Sequence, residues 1–166
     1  MNDRARPGRS FRRRVARVRG RLFHLWFLLR RPMTLGVRAL ILNEKEGSVF
    51  LVRHTYVRGW QLPGGGVEKG ETLLEALRHE LTEECNIEIS SAPRLAGVYY
   101  NRVTSPRDHV ALYVVTDFHQ TTPKLPDREI AEARFFRLDH LPEGITRATQ
   151  ARLAEHLEGQ EPSPYW

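Results

Sequence analysis

Glu80, Glu83 and Glu84 have the spacing that most directly suggests chemistry in this sequence. On a helix advancing about 100° per residue, Glu83 lies about 60° to one side of Glu80 and Glu84 about 40° to the other. The three carboxylates then leave one narrow stripe, where like charges repel unless something neutralises them. A hard divalent cation answers that need, and Mg²⁺ in particular is held by a few carboxylates together with substrate phosphates. Just upstream stand Gly64, Gly65 and Gly66, with Gly70 before the helix. Glycines let backbone amides and carbonyls approach a ligand with no Cβ in the way, and a helix start offers unpaired N–H groups to anionic oxygens. Either feature alone reads as an ordinary acidic face or an ordinary turn. Together they point to a site for a cation and a phosphate.

The elements around these residues follow from local pattern. Thr72 with Glu75 three residues later makes a capping box, which fixes the helix start. Leu74, Leu77 and Leu81 supply its buried stripe. Strands are expected at 34–42 and 49–54, joined by the polar turn NEKEGS, and again at 94–101 and 109–118. Residues 56–62 bring Trp60 and Gln61 up to the glycine loop. RVTSPRD is a loop of the kind that can overhang a site. Residues 119–127 read as loop, 133–138 as a last strand, and 145–157 as a closing helix with Leu153 and Leu157 on its inner face.

The run from Gly64 to Ile87 resembles the Nudix box, G-x5-E-x7-R-E-U-x-E-E-x-G-U, where U is bulky and apolar. Gly65 matches the first Gly, Glu71 the first Glu, Glu80 and Leu81 the E-U pair, Glu83 and Glu84 the E-E pair, and Ile87 the last apolar position. Leu62, Pro63 and Gly64 fall where that family commonly has its L-P-G approach. Two positions depart from the pattern. Asn86 replaces the terminal Gly, a mild change because Asn tolerates the left-handed conformation of a helix end. His79 replaces the Arg that orients a catalytic glutamate in the family. Imidazole is shorter and only partly charged near neutral pH, yet it can donate one hydrogen bond to Glu71 or Glu80.

The resemblance implies an α/β fold, the α/β/α sandwich with a mixed sheet, extending here from about Thr34 to Glu158. It implies metal-dependent hydrolysis of the pyrophosphate bond in a nucleoside diphosphate linked to another group, with Mg²⁺ as cofactor and Mn²⁺ able to serve. Glu80, Glu83, Glu84 and the Gly64 carbonyl are the implied metal ligands. Glu80 also lies at a position from which members draw a general base, beside Glu71 and His79. Glu129 and Glu132 stand where many members carry a further acid, and Asp108 is a weaker candidate. Each of these three, taken singly, reads more readily as a surface charge. Gly65, Gly66, Arg53, Arg58 and Trp60 are the expected substrate contacts, with His54 and Tyr56 on the same segment. A Trp can stack on a base and an Arg can hold a phosphate, although Trp60 reads equally as core and Arg58 as solvated. The competing expectation is a catalytically weak or inactive Nudix-fold module that binds a ligand, with membrane association as one form of it, since His79 weakens the box and the basic N-terminal helix suggests a partner.

The net charge of +6 is unevenly placed. Residues 1–31 hold eleven arginines and a single acid, Asp3, against fifteen basic and nineteen acidic residues in the rest. The body, 32–166, is therefore mildly acidic, which argues against general nucleic-acid binding. The basic segment, 1–31, has helical periodicity. Phe11, Val15, Val18, Leu22, Leu25 and Leu29 share a face, with Trp26 beside them, and Pro32 ends the run. The largely apolar stretch from Leu22 to Leu29 is far short of the roughly 20 residues that span a bilayer. Two readings stand for this amphipathic helix: an interfacial membrane contact, or an apolar face packed on this domain or on a second subunit as a homodimer. One cysteine, Cys85, excludes an internal disulfide and fits a reducing, cytoplasmic setting, peripheral to the membrane if the helix binds there. No chemical role is expected of Cys85.

Overall fold

The computed structural model describes residues 32–166 and, ahead of them, Arg19, which is helical and exposed. The amphipathic helix expected over 1–31 otherwise lies outside the described residues. By contacts the chain divides into units 1–33 and 34–166. The second unit runs β1 (Thr34–Asn43), β2 (Ser48–His54), α1 (Leu73–Cys85), β3 (Ile87–Ile89), β4 (Arg94–Tyr100), β5 (Asp108–Val115), β6 (Phe118–Gln120), β7 (Ile130–Arg137) and α2 (Arg147–Leu157). Among the described residues no helix is long and apolar enough to cross a membrane.

Five strands form a mixed sheet in the order β4-β5-β1-β2-β7. β1 and β5 run parallel and the other neighbours antiparallel. Alternation along the strands divides the core into two layers. Val37, Ala39, Ile41, Ala111 and Tyr113 pack with Leu77 and Leu81 of α1. Leu40, Leu42, Leu112 and Val114 pack on the other face with Leu153 of α2. The two helices therefore sandwich the sheet.

The glycine loop is built into this sheet. β1 pairs with β2 only at Leu42 and Asn43; nearer its start, the same edge holds the loop instead. Val37 donates to the Gly65 carbonyl and Ala39 to that of Pro63, both at 2.9 Å, and Val67 donates to Leu35. On the other side Val52 and Gln61 exchange a pair of bonds at 2.9 and 2.8 Å. Residues 61–67 thus fill the wedge between two diverging strands.

Several expectations change. β3 and β6 form a separate two-stranded sheet, so the run 109–118 ends as a strand at Val115 and Phe118 opens the next. β7 starts at Ile130, before the expected Ala133. Leu157, expected inside, is 48% exposed because α2 ends there, beyond the sheet-facing Leu153.

Candidate active site

α1 starts and stops as its sequence dictates. The Thr72 hydroxyl accepts from the Glu75 amide at 3.2 Å, and the Glu75 carboxylate accepts from Thr72 N–H at 2.8 Å. At the other end Asn86 adopts φ 54° and donates its amide to Leu81 and Thr82, the left-handed stop that Asn tolerates. Between these caps Leu77 and Leu81 are fully buried, which fixes the rotation of the helix. Glu80, Glu83 and Glu84 consequently line one cleft of about 460 Å³, together with Lys124, Asp127, Arg128, Glu129 and Ile130.

The glycine loop meets this stripe at two points. The Gly64 amide donates to Glu84 Oε2 at 2.8 Å. At Gly65 a Cβ would sit 2.1 Å from Glu80 Oε1, so the Glu80 carboxylate rests where a side chain would be. Gly64 is itself obligatory: at φ +132° its Cβ would lie 2.2 Å from the Val37 carbonyl. The carbonyl of Gly64 belongs to the peptide joining these two contacts.

The electrostatics follow from burial. Glu84 is 8% exposed, and burial pushes its carboxyl up to about 7 against the opposing influence of the Gly64 N–H and Arg38, with Glu80 and Glu129 adding to the rise. Glu80 is also raised, first by burial and then by Glu83, Glu129 and Glu71, with Arg38 opposing. His54 Nε2 lies 3.6 Å from Glu84 Oε1. Burial, then the Arg38 charge, lowers its pKa, and its buried Nδ1 has no partner among the described residues.

An all-oxygen donor set of this kind suits a hard divalent cation, and a buried carboxylate raised this far calls for a positive charge. Among the described residues no three acidic, histidine or cysteine groups already converge on one point. The stripe is an open rim rather than a closed cage. Mg²⁺ fits an open rim, because it keeps several waters and takes one or two carboxylates plus substrate phosphate.

Glu129 is carried to the rim by a tight turn. Asp127 Oδ1 accepts from the amides of Glu129 and Ile130 at 2.9 and 2.7 Å. Lys124 Nζ bonds Asp127 at 2.6 Å and the Glu83 carbonyl at 2.7 Å, tying the turn to α1. His79, 71% exposed, pairs through Nδ1 with Glu71 Oε1 at 2.6 Å. Glu71 in turn accepts from the Glu68 amide at 3.0 Å. Of its two expected partners, His79 therefore meets Glu71 and not Glu80.

A second, larger cleft of about 710 Å³ is lined by Gly65 and Gly66 and extends away from the glycine loop. Arg38, Arg58 and Gln61 line it near the loop in sequence or by contact; Leu35, Val57 and Val103 supply apolar wall. Asp108 is there too, accepting from Thr34 Oγ1 at 2.7 Å and Asn101 Nδ2 at 2.8 Å. Thr146 to Thr149 at the start of α2, and Trp166, complete the lining.

Two expected substrate contacts are elsewhere. Trp60 is core, 6% exposed and edge-on to Phe136 at 4.6 Å. Its carbonyl accepts from the Thr146 amide at 3.0 Å, so it anchors the start of α2 instead of facing the cleft. Arg53 lines neither cleft; it pairs with Glu132 across β2 and β7 at 3.0 Å, with its guanidinium over Trp60. Glu132 is accordingly a surface partner of Arg53 and Arg134, and Asp108 belongs to the larger cleft, so neither joins the carboxylate rim.

Arg38, Lys124 and Asp127 are contributors that motif reading passes over. Arg38 had a visible signal, a lone charge within the apolar strand LGVRALIL. Its half-buried guanidinium donates through Nη1 to the Leu62 carbonyl at 3.1 Å and to the Gly64 carbonyl.

Known proteins are similar to this chain in sequence and in fold. An ADP-ribose pyrophosphatase of Methanocaldococcus jannaschii is 35% identical over 103 residues, 60% of each chain. An RNA pyrophosphohydrolase of Hydrogenovibrio crunogenus is 41% identical over 51 residues, 31% of each. The chain thus spans less than two thirds of the length of these relatives. The crystal structure of a MutT NUDIX hydrolase from Burkholderia pseudomallei aligns with TM-score 0.63 at 24% identity, covering 74% of this chain and 97% of that one, a likeness of fold. The family model of the NUDIX domain matches residues 32–157, which include the glycine loop, α1 and the Glu129 turn. On that match the chain belongs to the Nudix family.

Proposed function

We propose that this protein is a metal-dependent pyrophosphohydrolase that cleaves the phosphoric anhydride of a nucleoside diphosphate linked to a further group. The observation that carries the reading is the buried Glu84 carboxylate held by the Gly64 amide beside Glu80, with the larger cleft opening from the same glycines. Glu80, Glu83, Glu84 and the Gly64 carbonyl would hold Mg²⁺ or Mn²⁺. When bound, the ion neutralises phosphate oxygens and lowers the pKa of an attacking water.

The chain's own residues do the rest. Gly65 leaves room for the Glu80 carboxylate against the backbone. Glu129, presented by the Asp127 turn, is placed to accept a proton from water at the rim, with Glu80 the other carboxylate able to do so. His79 holds Glu71, which steadies the approach to α1. Arg58, Gly65 and Gly66 receive the diphosphate, while Asp108, Asn101 and Thr34 offer polar contacts to the nucleoside or the linked group. The ADP-ribose pyrophosphatase relative makes ADP-ribose the first compound to try.

A screen of phosphate and nucleotide release over ADP-ribose, nucleotide sugars, dinucleotides and nucleoside triphosphates, with Mg²⁺ or Mn²⁺, tests this. Turnover that falls steeply in Glu83→Gln supports it; loss of one such electrostatic element typically removes about 10²–10³ in rate. Absence of turnover by folded protein across the whole panel would leave a ligand-binding module, the reading that His79 in place of arginine favours.

A further inference from the structure

Arg38 stands on β1 against the glycine loop, its charge unpaired by any carboxylate at ion-pair distance among the described residues. Its Nη1 satisfies the carbonyls of Leu62 and Gly64. Its side chain lines the larger cleft alongside Gly65, Gly66 and Arg58. Gly64, whose carbonyl it bonds, donates its own amide to Glu84 Oε2 at 2.8 Å, so one glycine joins the guanidinium to the carboxylate rim. A guanidinium has five N–H donors in a fixed fork suited to paired phosphate oxygens, and two carbonyls of one loop engage only one of its nitrogens here.

We propose that Arg38 makes divalent-cation binding and diphosphate binding cooperative: its guanidinium is a resident cation on the Gly64 carbonyl that opposes a metal there until an anionic diphosphate in the adjoining cleft takes over its hydrogen bonds. The inference rests on the reading of these clefts given under Proposed function. Two like charges at one half-buried peptide oxygen repel more strongly than they would in water. A carbonyl that accepts from Arg38 is also a poorer donor to a second cation. An anion on the free nitrogens of the fork removes both penalties at once. Linkage makes the effect reciprocal, so metal strengthens diphosphate binding by the same factor.

Calorimetric titration of the full chain tests this without turnover. The probes are MgCl₂ or MnCl₂ alone, and the same metal in the presence of α,β-methylene-ADP, whose bridging carbon replaces the scissile oxygen. In wild type the analogue should tighten metal binding at least about fivefold, the lower end of ordinary coupling between sites. Arg38→Met and Arg38→Gln should bind the metal alone more tightly than wild type, with coupling reduced to under twofold. Arg38→Lys, which keeps the charge, should retain weak binding of metal alone. Arg38→Gln, with a neutral donor for the loop carbonyls, serves where Arg38→Met does not fold, and thermal melts identify which variants are folded. Equal metal affinity in wild type and the neutral variants overturns the proposal, as does undiminished coupling in those variants. If wild type hydrolyses substrate but shows no coupling, the proposed activity stands and this inference falls. If wild type binds no metal under any condition, both fall.

Discussion

At the scale of single residues the three adjacent glycines should behave differently, because each meets a different neighbour. Gly66→Ala places its Cβ in open space and should leave stability near wild type, while KM rises because the methyl group enters the cleft that receives the diphosphate. Gly64→Ala drives a Cβ into the β1 backbone at a positive φ, so the fold should lose about 3 kcal/mol or more. Gly65→Ala meets only the end of the Glu80 side chain, which can swing aside. Its melting temperature should hardly move, while turnover falls about 10²-fold or more with the displaced carboxylate. Melting curves and rates for the three variants check the series. Glu84 carries a second expectation. Its carboxyl lies near 7 when folded, against an ordinary 4.5, so the folded state holds more protons between those values. Metal-free stability should therefore decline as pH rises from 4.5 to 7, by on the order of 3 kcal/mol at this one group. Denaturant titrations at pH 5 and pH 8 measure the decline, and Glu84→Gln should abolish it. Metal requires the deprotonated form, so metal affinity should weaken below pH 7 with release of a proton. Calorimetry in buffers of differing ionisation heat reads that release, which should vanish above pH 8.

Among the elements, the turn at Asp127 is the device that holds Glu129 to the rim. Its carboxyl is lowered to about 2, first by the Ile130 amide and then by Lys124 and the Glu129 amide, so it stays charged across the working range. Asp127→Ala frees the two amides and the Lys124 tether together. We expect kcat to fall about tenfold or more through misplacement of Glu129, with the sheet intact by circular dichroism. None of this was legible in a run of prolines and charges, whereas α1 was legible at both ends. Thr72, Glu75 and Asn86 act through their own helix and so declare themselves locally. β3 and β6 are three residues each, too short for alternation to register, and exist because each pairs with the other. Arg152 shows the limit from another side. An arginine is almost never fully buried unless paired, yet this one is 1% exposed, bonded to Glu155 and the Tyr165 carbonyl with its guanidinium over Tyr99. Apart from Glu155 on α2 itself, its partners lie on β4 and in the segment after α2, which carries no periodicity of its own. Trp60 reads both as core and as a substrate contact for the same reason: its neighbours Phe136 and Thr146 come from distant parts of the chain.

For the molecule as a whole, the division at 1–33 and 34–166 bears on the arginine-rich segment. We expect a chain lacking residues 1–31 to keep its hydrolytic rate. If the segment is interfacial, only the full-length chain should sediment with anionic vesicles, and salt should weaken that attachment. If it packs on protein, the shortened chain should aggregate where the intact one is a defined oligomer. The parallel pairing of β1 with β5 has a further consequence, for the order of folding. Thr34 and Asp108, joined side chain to side chain, are 74 positions apart, and β1 also supplies the edge on which the glycine loop is hung. Such long closures are entropically late and slow, so the wedge of residues 61–67 takes its final shape near the end of the pathway. A cation bound at that wedge then cannot guide the chain toward its transition state; it can only hold the finished protein. In stopped-flow experiments Mg²⁺ should leave the refolding arm of the chevron unchanged and slow the unfolding arm, so that the metal acts as a latch on escape from the native state.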